Sequence, residues 1–568
     1  MSNFNISENL TQGGFLNNVE QCIAKCKEQF ELILSEIKKS ENIEAHKVEA
    51  FIFKELLKLG LYFLECFFAK HNQGDYGGLL KTSKGIARRG RTVEKSYFSL
   101  FGKLKVKRYL YHVGAESFAP LDILLNLPKR CYSYFLSELV NFLDIKEAYL
   151  EASKFLKKFF NMDLSVSALE GISSESSVMY KDYYDLKNSL PKLAQKADLT
   201  VASFDGKGVP VIKKEGAKIK ARQGKGEKKQ KKKEALVGVK YNVNANIRSA
   251  EEVACNLVFP EKKTEENKVL FKLTKKSLAD LKEQGFPEHI LSGLKKLENE
   301  EFTSKDKFLK AVKTEIGKQK TRKYTLAILK SAKNNCMEKA ENIRYIASIE
   351  QPKRQVMEQI KQEITEEGFS INPLVCVVDG AKCLSDLFEE IYKEVKNKVL
   401  ILDIIHALEY IWLIANANYK ESSEEGKKYV YDKLQLILHG KVASYIKELE
   451  DEIKSEKLKK SKENTYSKVI KYLKNHSQYM KYDEYLAKGY PIGSGVVESA
   501  CSHVVKDRME ITGARWGING AEAILKLRSI VKSNDWDGYW EFFTNQAKNN
   551  EFLPKGANSI NSEEKLAA

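Results

Sequence analysis

The chain has 568 residues, and 95 Lys and Arg against 77 Asp and Glu leave it a formal charge of +18 at pH 7. At about 100–200 residues per domain this is more than one small domain, and with 43% hydrophobic residues it is not a wholly disordered chain. Nine cysteines with no repeated CxxC spacing give neither a disulfide framework nor a zinc module, which predicts a reducing cytoplasm. The longest apolar stretch, 399–417, carries Asp403, His406 and Glu409, so no membrane span is expected.

In chain order, apolar residues recur at three and four from about Phe15 to Phe68, among them Leu32, Ile33, Ile37, Leu57 and Leu61, which predicts an N-terminal helical region. Val93, Tyr97, Leu104, Val106, Tyr109 and Tyr111 then fit short strands around a turn at Phe101-Gly102-Lys103. Arg88, Arg89 and Arg108 are among the residues that make this hairpin basic, and they are candidate DNA contacts; region and hairpin together form a unit over 1–125. Within 126–192, the run from Ile145 to Phe160 predicts an amphipathic helix, and a second helix starts after a break, capped by Ser165 or Ser167. Two readings fit this pair: ordinary bundle packing, or a helix-turn-helix whose second helix enters the major groove.

Short apolar runs follow at 199–204, 373–378 and 399–402, each ending at an aspartate: Asp205, Asp379 and Asp403. Functional groups gather beyond the carboxyl ends of buried parallel strands, so this pattern marks a site. The first run and its hairpin mate at 235–243 enclose a basic segment from Lys213 to Lys233 with eleven Lys or Arg and two Glu, half of the chain's excess charge. That segment is either a solvated hairpin tip or a phosphate-tracking arm in which Lys228, Lys229, Lys231, Lys232 and Lys233 contact DNA. Lys-rich helical spacing occupies 262–367, a charged helical insertion 418–488, and a tail 546–568. Between the last two, over 489–545, Gly493-Ser494-Gly495 opens a helix that carries Glu498 in its first turns and stops at Gly513.

In a basic protein, carboxylates outnumbering imidazoles and thiolates suit magnesium or manganese, which polarise a phosphate and activate its attacking group. Asp205, Asp379 and Glu498 meet that need if the fold unites them. Lys506, Arg508 and Arg515 are either phosphate contacts or surface charges, and Trp516 either stacks on an unpaired base or packs in a core. His406, at the start of an apolar helix, is either a hydrogen-bonded core histidine or a supporting residue.

The run YPIGSGVVESACSHVVKDRMEITGARW at 490–516 closely resembles the hallmark segment of bacterial insertion-sequence transposases of the ISKra type. SFDGKGVPV, VVDGAKCL and LDIIHALEYIW occur upstream in that family's order, as do FGKLKVKRYLYH and FAPLD nearer the N-terminus. The resemblance implies an α/β fold: an RNase H-like mixed sheet as catalytic core with a helical insertion, preceded by a mainly helical DNA-binding region. It assigns the first strand's acid to Asp205, the fourth strand's to Asp379 and the helix acid to Glu498, holding two Mg2+ or Mn2+ ions. Asp403 and His406 match a D-x-x-H signature of related groups, which makes Asp403 the alternative second ligand. The implied activity is cleavage of double-stranded DNA at element ends followed by strand transfer into target DNA, by a homodimer or larger assembly in the bacterial cytoplasm. Other readings are a catalytically silent DNA-binding derivative and a nuclease that does not join strands. Many relatives carry a cysteine cluster before the FAPLD segment; RYLYHVGAESFAPLD has none, so no zinc role carries over.

Overall fold

The computed structural model describes residues 12–40, 42–190, 197–219, 232–259, 271–298, 300–302, 305–332, 340–366, 372–455, 458–511 and 513–546. The N-terminal periodicity becomes two helices, Gln12–Lys38 and Ala45–Ala69, packed antiparallel through Cys26, Ile33 and Leu59. Strands β1 (Leu79–Thr82), β2 (Gly85–Ser99), β3 (Gly102–Val113) and β4 (Glu116–Phe118) form an antiparallel sheet in chain order. The β2–β3 turn is Leu100-Phe101, one residue earlier than the spacing suggests, because Gly102 at φ +137 begins the return strand.

Helices Tyr134–Asp144, Tyr149–Phe160 and Val166–Ser176 follow. Left-handed Asn161 closes the second, and Ser165 caps the third by accepting from the Ala168 amide. The third helix, VSALEGISSES, contains no Lys or Arg and buries Leu169, Ile172 and Ser176 against neighbouring helices. Its inward face is thus occupied by packing, and it offers no cation to a phosphate.

The central sheet is built from β5 (Leu199–Pro210) and β6 (Lys232–Val243) and three later strands. A small helical unit intervenes, with β7 (Phe271–Lys272) pairing β8 (Glu301–Phe302) and its own core around Leu281, Leu294, Phe308 and Val312. Then come β9 (Glu341–Ser348), β10 (Leu374–Val378) and β11 (Lys398–Leu402). The five-stranded order is β11-β10-β5-β6-β9, with β5 parallel to β10, β10 parallel to β11, and the pairs β5–β6 and β6–β9 antiparallel.

Helices cover both faces, as β10 requires, since all five of its residues are buried. Lys353–Glu366 and Lys382–Ile391 pack on one side with Ala202, Phe204 and Cys376. Ile404–Asn418, Glu424–Leu438 and Gly495–Ala500 pack on the other with Val201, Val377 and Ile401. The chain is therefore mixed α/β. The helical insertion comprises Glu424–Leu438, Val442–Ser455, Lys460–His476 and Tyr482–Ala487. No helix among the described residues is long and apolar enough to cross a membrane.

Two further expectations change. The stretch 262–367 is not continuously helical, because NIRYIAS joins the sheet as β9, its apolar side chains alternating between the two cores. Asp205 also does not end its strand: β5 runs on to Pro210, paired with β6 throughout. What ends near Asp205 is its parallel partner β10.

Candidate metal centre

The strand register explains how distant aspartates meet. Val377 pairs with Ser203 and Val378 with Leu402, so Asp379 falls opposite Asp205 on one side and opposite Asp403 on the other. The Asp403 amide donates to the Val378 carbonyl at 2.8 Å, continuing the ladder. Adjacent strands lie about 4.8 Å apart, so the three carboxyl groups stand level across three neighbouring chains. Strand alternation puts them on the face of Val201, Val377 and Ile401, the face that packs Val497, Ala500 and Cys501 of the Glu498 helix.

The loop before that helix is tied to the same edge. The Ile404 amide donates to the Ile492 carbonyl at 2.9 Å, and Arg248 holds the Tyr490 carbonyl at 3.0 Å. Ser494 consequently arrives beside Asp403. It is the residue before the first turn, where a serine ordinarily caps helix amides, yet its hydroxyl makes no such bond. It donates to Asp403 Oδ2 instead and lies 2.9 Å from Glu498 Oε1, while its amide donates to Asp403 Oδ2 at 3.2 Å. A local capping rule is set aside to hold two carboxylates together.

Asp403 is fully buried and caps Ile404–Asn418 through the Ile405 amide at 2.8 Å. Burial pushes its carboxyl above the usual range, Glu498's charge adds to that, and the Ser494 and Ile405 bonds oppose it. Asp205 is raised for the same first reason, with the charges of Asp379 and Glu498 adding, against hydrogen bonds from the Cys501 thiol and the Gly206 amide. Asp379 accepts from the Ala381 amide at 2.9 Å, and Gly380 turns the chain behind it at φ +85, where a Cβ would meet the Tyr472 hydroxyl at 2.8 Å.

Asp403, His406 and Glu498 each offer a ligand atom within 4.8 Å of the others. His406 is partly exposed rather than in the core, with Nδ1 3.5 Å from Glu409 Oε2. The structure thus brings together all five acid and imidazole groups singled out in the sequence. The tightest set contains Asp403, not Asp379.

The helix bearing Glu498 widens to a π-helical turn from Cys501 to Lys506, a feature frequent at functional sites. The turn aims Cys501 at Asp205, and burial with that neighbouring charge pushes its thiol up, so it remains a donor. Sequence reasoning missed the role of Ser494, taken only as part of the breaker and cap that opens the helix, and Cys501, weighed only by cysteine spacing. It also missed Tyr472, whose buried hydroxyl has no protein partner and feels the charges of Asp379 and Asp403. Nothing in the insertion's pattern singles that residue out.

The proposed DNA contacts separate into groups. Lys506 and Arg515 are exposed, as is Arg88. Arg508 and Trp516 are not at the surface: they are 2% and 5% exposed. The Arg508 guanidinium lies 4.6 Å from the Trp516 ring centre and 5.1 Å from that of Tyr149, and its Nε donates to the Asp144 carbonyl at 2.5 Å. Trp516 Nε1 donates to the Met509 carbonyl, and its backbone pairs with Pro210 at the end of β5 and with Ile212 beyond it. Trp516 thus locks the Glu498 segment to the sheet and Arg508 locks it to the helices Tyr134–Asp144 and Tyr149–Phe160, and neither is available to a base or phosphate. Arg89 pairs with Asp75 at 2.6 Å and Arg108 with Asp122 at 2.8 Å. Lys232 pairs with Glu510 at 2.7 Å, and Lys233 sits beside it on β6. Lys228, Lys229 and Lys231 lie outside the described residues.

Comparison with known proteins gives no family. No family model matches the chain, and no curated protein matches it.

Proposed function

We propose that this chain is a DNA transposase with an RNase H-like core, cutting the ends of an insertion sequence and joining them to target DNA. The observation that carries the reading is the alignment of Asp205, Asp379 and Asp403 across β5, β10 and β11, facing Glu498. In chain order within the central sheet, β5 is first and β10 fourth, which matches the strands on which the resemblance puts its first two acids.

The donor set fits divalent cations. Four carboxylates are hard ligands suited to magnesium or manganese, with one borderline imidazole beside them, and burial together with neighbouring negative charge makes Asp205 and Asp403 costly to keep charged without a counterion. Asp205 and Asp379 would hold one ion and Asp403 and His406 the other, with Glu498 between the sets. Such a pair supplies charge neutralisation at the phosphate and activation of the attacking and leaving oxygens.

The chain's own residues prepare the site. Ser494 holds Asp403 and Glu498 together, Cys501 fixes Asp205 by donating to it, and the π turn orients that thiol. Lys207 lies on β5 two residues beyond Asp205, and its charge reaches Cys501 and Glu510. With exposed Lys506 it gives a nucleic-acid backbone cations to track into the site.

The test is a magnesium-dependent cleavage and strand-transfer assay on DNA flanking the gene's own locus. Wild-type protein should nick and then join. Asp205→Asn, Asp379→Asn and Glu498→Gln should abolish both steps while sparing DNA binding, and Asp403→Asn, which leaves His406 and Glu498 to hold the second ion more weakly, should leave measurable nicking. Nicking without joining would make the protein a nuclease; binding without either would make it a silent derivative.

A further inference from the structure

Among the described residues, nothing covers a large apolar surface on the N-terminal helix pair. On one side of Gln12–Lys38 the exposed apolar side chains are Ile23, Phe30, Leu34 and Ile37, and on Ala45–Ala69 they are Phe53, Leu56, Phe63 and Phe67. Successive members are three, four or seven apart, the steps of a heptad seam. At about 100° per residue, the first set lies about 75° from the seam residues Cys26, Gln29 and Ile33. The second set lies about 100° from Glu55, Leu59 and Cys66. Because the helices run antiparallel, the two offsets turn toward the same side, and the eight side chains form one face. Phe160 meets Phe53 at 6.1 Å between ring centres and carries the face onto exposed Phe155 and Phe159.

Each of the eight is 36–57% exposed. Taking about 200 Å2 for a full aromatic and slightly less for an aliphatic, they leave about 700 Å2 of apolar surface. That exceeds the largest patch of an ordinary monomer, about 300–600 Å2, and approaches the roughly 800 Å2 that each partner contributes to a stable interface.

The rim of the face identifies the occupant. Along the outer edge of the first helix the exposed charges are Glu20, Lys27, Glu31 and Lys38, alternating in sign. A two-fold axis through residue 29 sets Glu20 opposite the second copy's Lys38 and Lys27 opposite the second copy's Glu31. The edge is complementary to itself when antiparallel, as an isologous contact requires.

We propose that this face is the contact between two copies of the chain, closing two helical hairpins into a four-helix bundle. The proposal stands independently of the catalytic reading. Its test is sedimentation of the full chain over a micromolar concentration series. Wild type should be a dimer, Phe30→Glu should weaken association at least a hundredfold, and Leu32→Glu, exposed on the opposite side of the same helix, should remain dimeric. Lys27→Glu should weaken the dimer and the added Glu31→Lys should restore it, which keeps the test decisive should Phe30→Glu misfold. A monomeric wild type at tens of micromolar, a fully dimeric Phe30→Glu or the absence of rescue by Glu31→Lys would overturn the proposal.

Discussion

Replacing Asp403 by alanine and by asparagine separates what this carboxylate does for the fold from what it does for a cation. Alanine removes the cap on Ile404–Asn418, worth about 0.5–2 kcal/mol, and leaves the buried Ser494 amide without an acceptor, at about 1–3 kcal/mol, while the Ser494 hydroxyl turns to Glu498 Oε1. The combined loss should be about 2–5 kcal/mol. Asparagine keeps an oxygen for the Ile405 amide, so the cap survives, and its amide group can donate to the Ser494 hydroxyl, but the Ser494 amide loses its acceptor, so it should cost about 1–3 kcal/mol, less than alanine by the cap. Both variants lose the charge and should bind Mn2+ at least tenfold more weakly by calorimetry. Thermal melts in chelator should therefore rank wild type, asparagine, alanine, whereas Mn2+ affinity should group the two variants together. If asparagine melts as low as alanine, the capping and Ser494 contacts are not what holds this end of β11. If asparagine binds Mn2+ like wild type, Asp403 is no cation ligand.

Three other outcomes are expected. The Asp144 carboxyl, buried between the helix pair and Arg508 and bonded by Ser173 at 2.9 Å, is pushed by burial to about 7. A folded-state value raised above the unfolded one favours folding at low pH and loses that advantage as pH rises toward 7. Asp144→Asn should thus gain in melting temperature relative to wild type between pH 5 and pH 8, and a gap independent of pH would contradict this. Lys213, Lys214 and Lys218 begin the basic hairpin tip; changing all three to Gln should lower the log–log salt slope of duplex binding by up to about 2.7, at 0.9 per phosphate contact. An unchanged slope would make that part of the tip a solvated turn. Cys501→Ala, which removes the donor to Asp205 without removing a carboxylate, should slow cleavage and leave DNA affinity unchanged, with Cys501→Ser recovering most of the rate; equal rates in all three would mean that the thiol does not position Asp205.

The sequence carries the strands of the site because their signal is local: runs of Val, Leu and Ile broken by Asp need no partner to be recognised. It also carries the Glu498 helix, announced by Gly493-Ser494-Gly495. The strand β9 escapes, because eight residues among Lys-rich helices gain their extended form from pairing with β6, a contact about a hundred positions away. Arg508 and Trp516 escape for a related reason. A cation and an indole near a helix end have the same pattern at a surface or in a core, and only the approach of Tyr149 and Asp144 from another segment decides between them. The joint role of Ser494 and Cys501 depends on a register shared by four separate stretches and on a π turn, neither of which periodicity encodes.

The most direct measurement is an anomalous difference map from crystals of the full chain grown with Mn2+. Two peaks about 3.5–4 Å apart should appear, one against Asp205 and Asp379, the other against Asp403 and His406, with Glu498 touching both. A map with no peak among these side chains, or with manganese bound elsewhere on the chain, would contradict the claim that they form one cation-binding site.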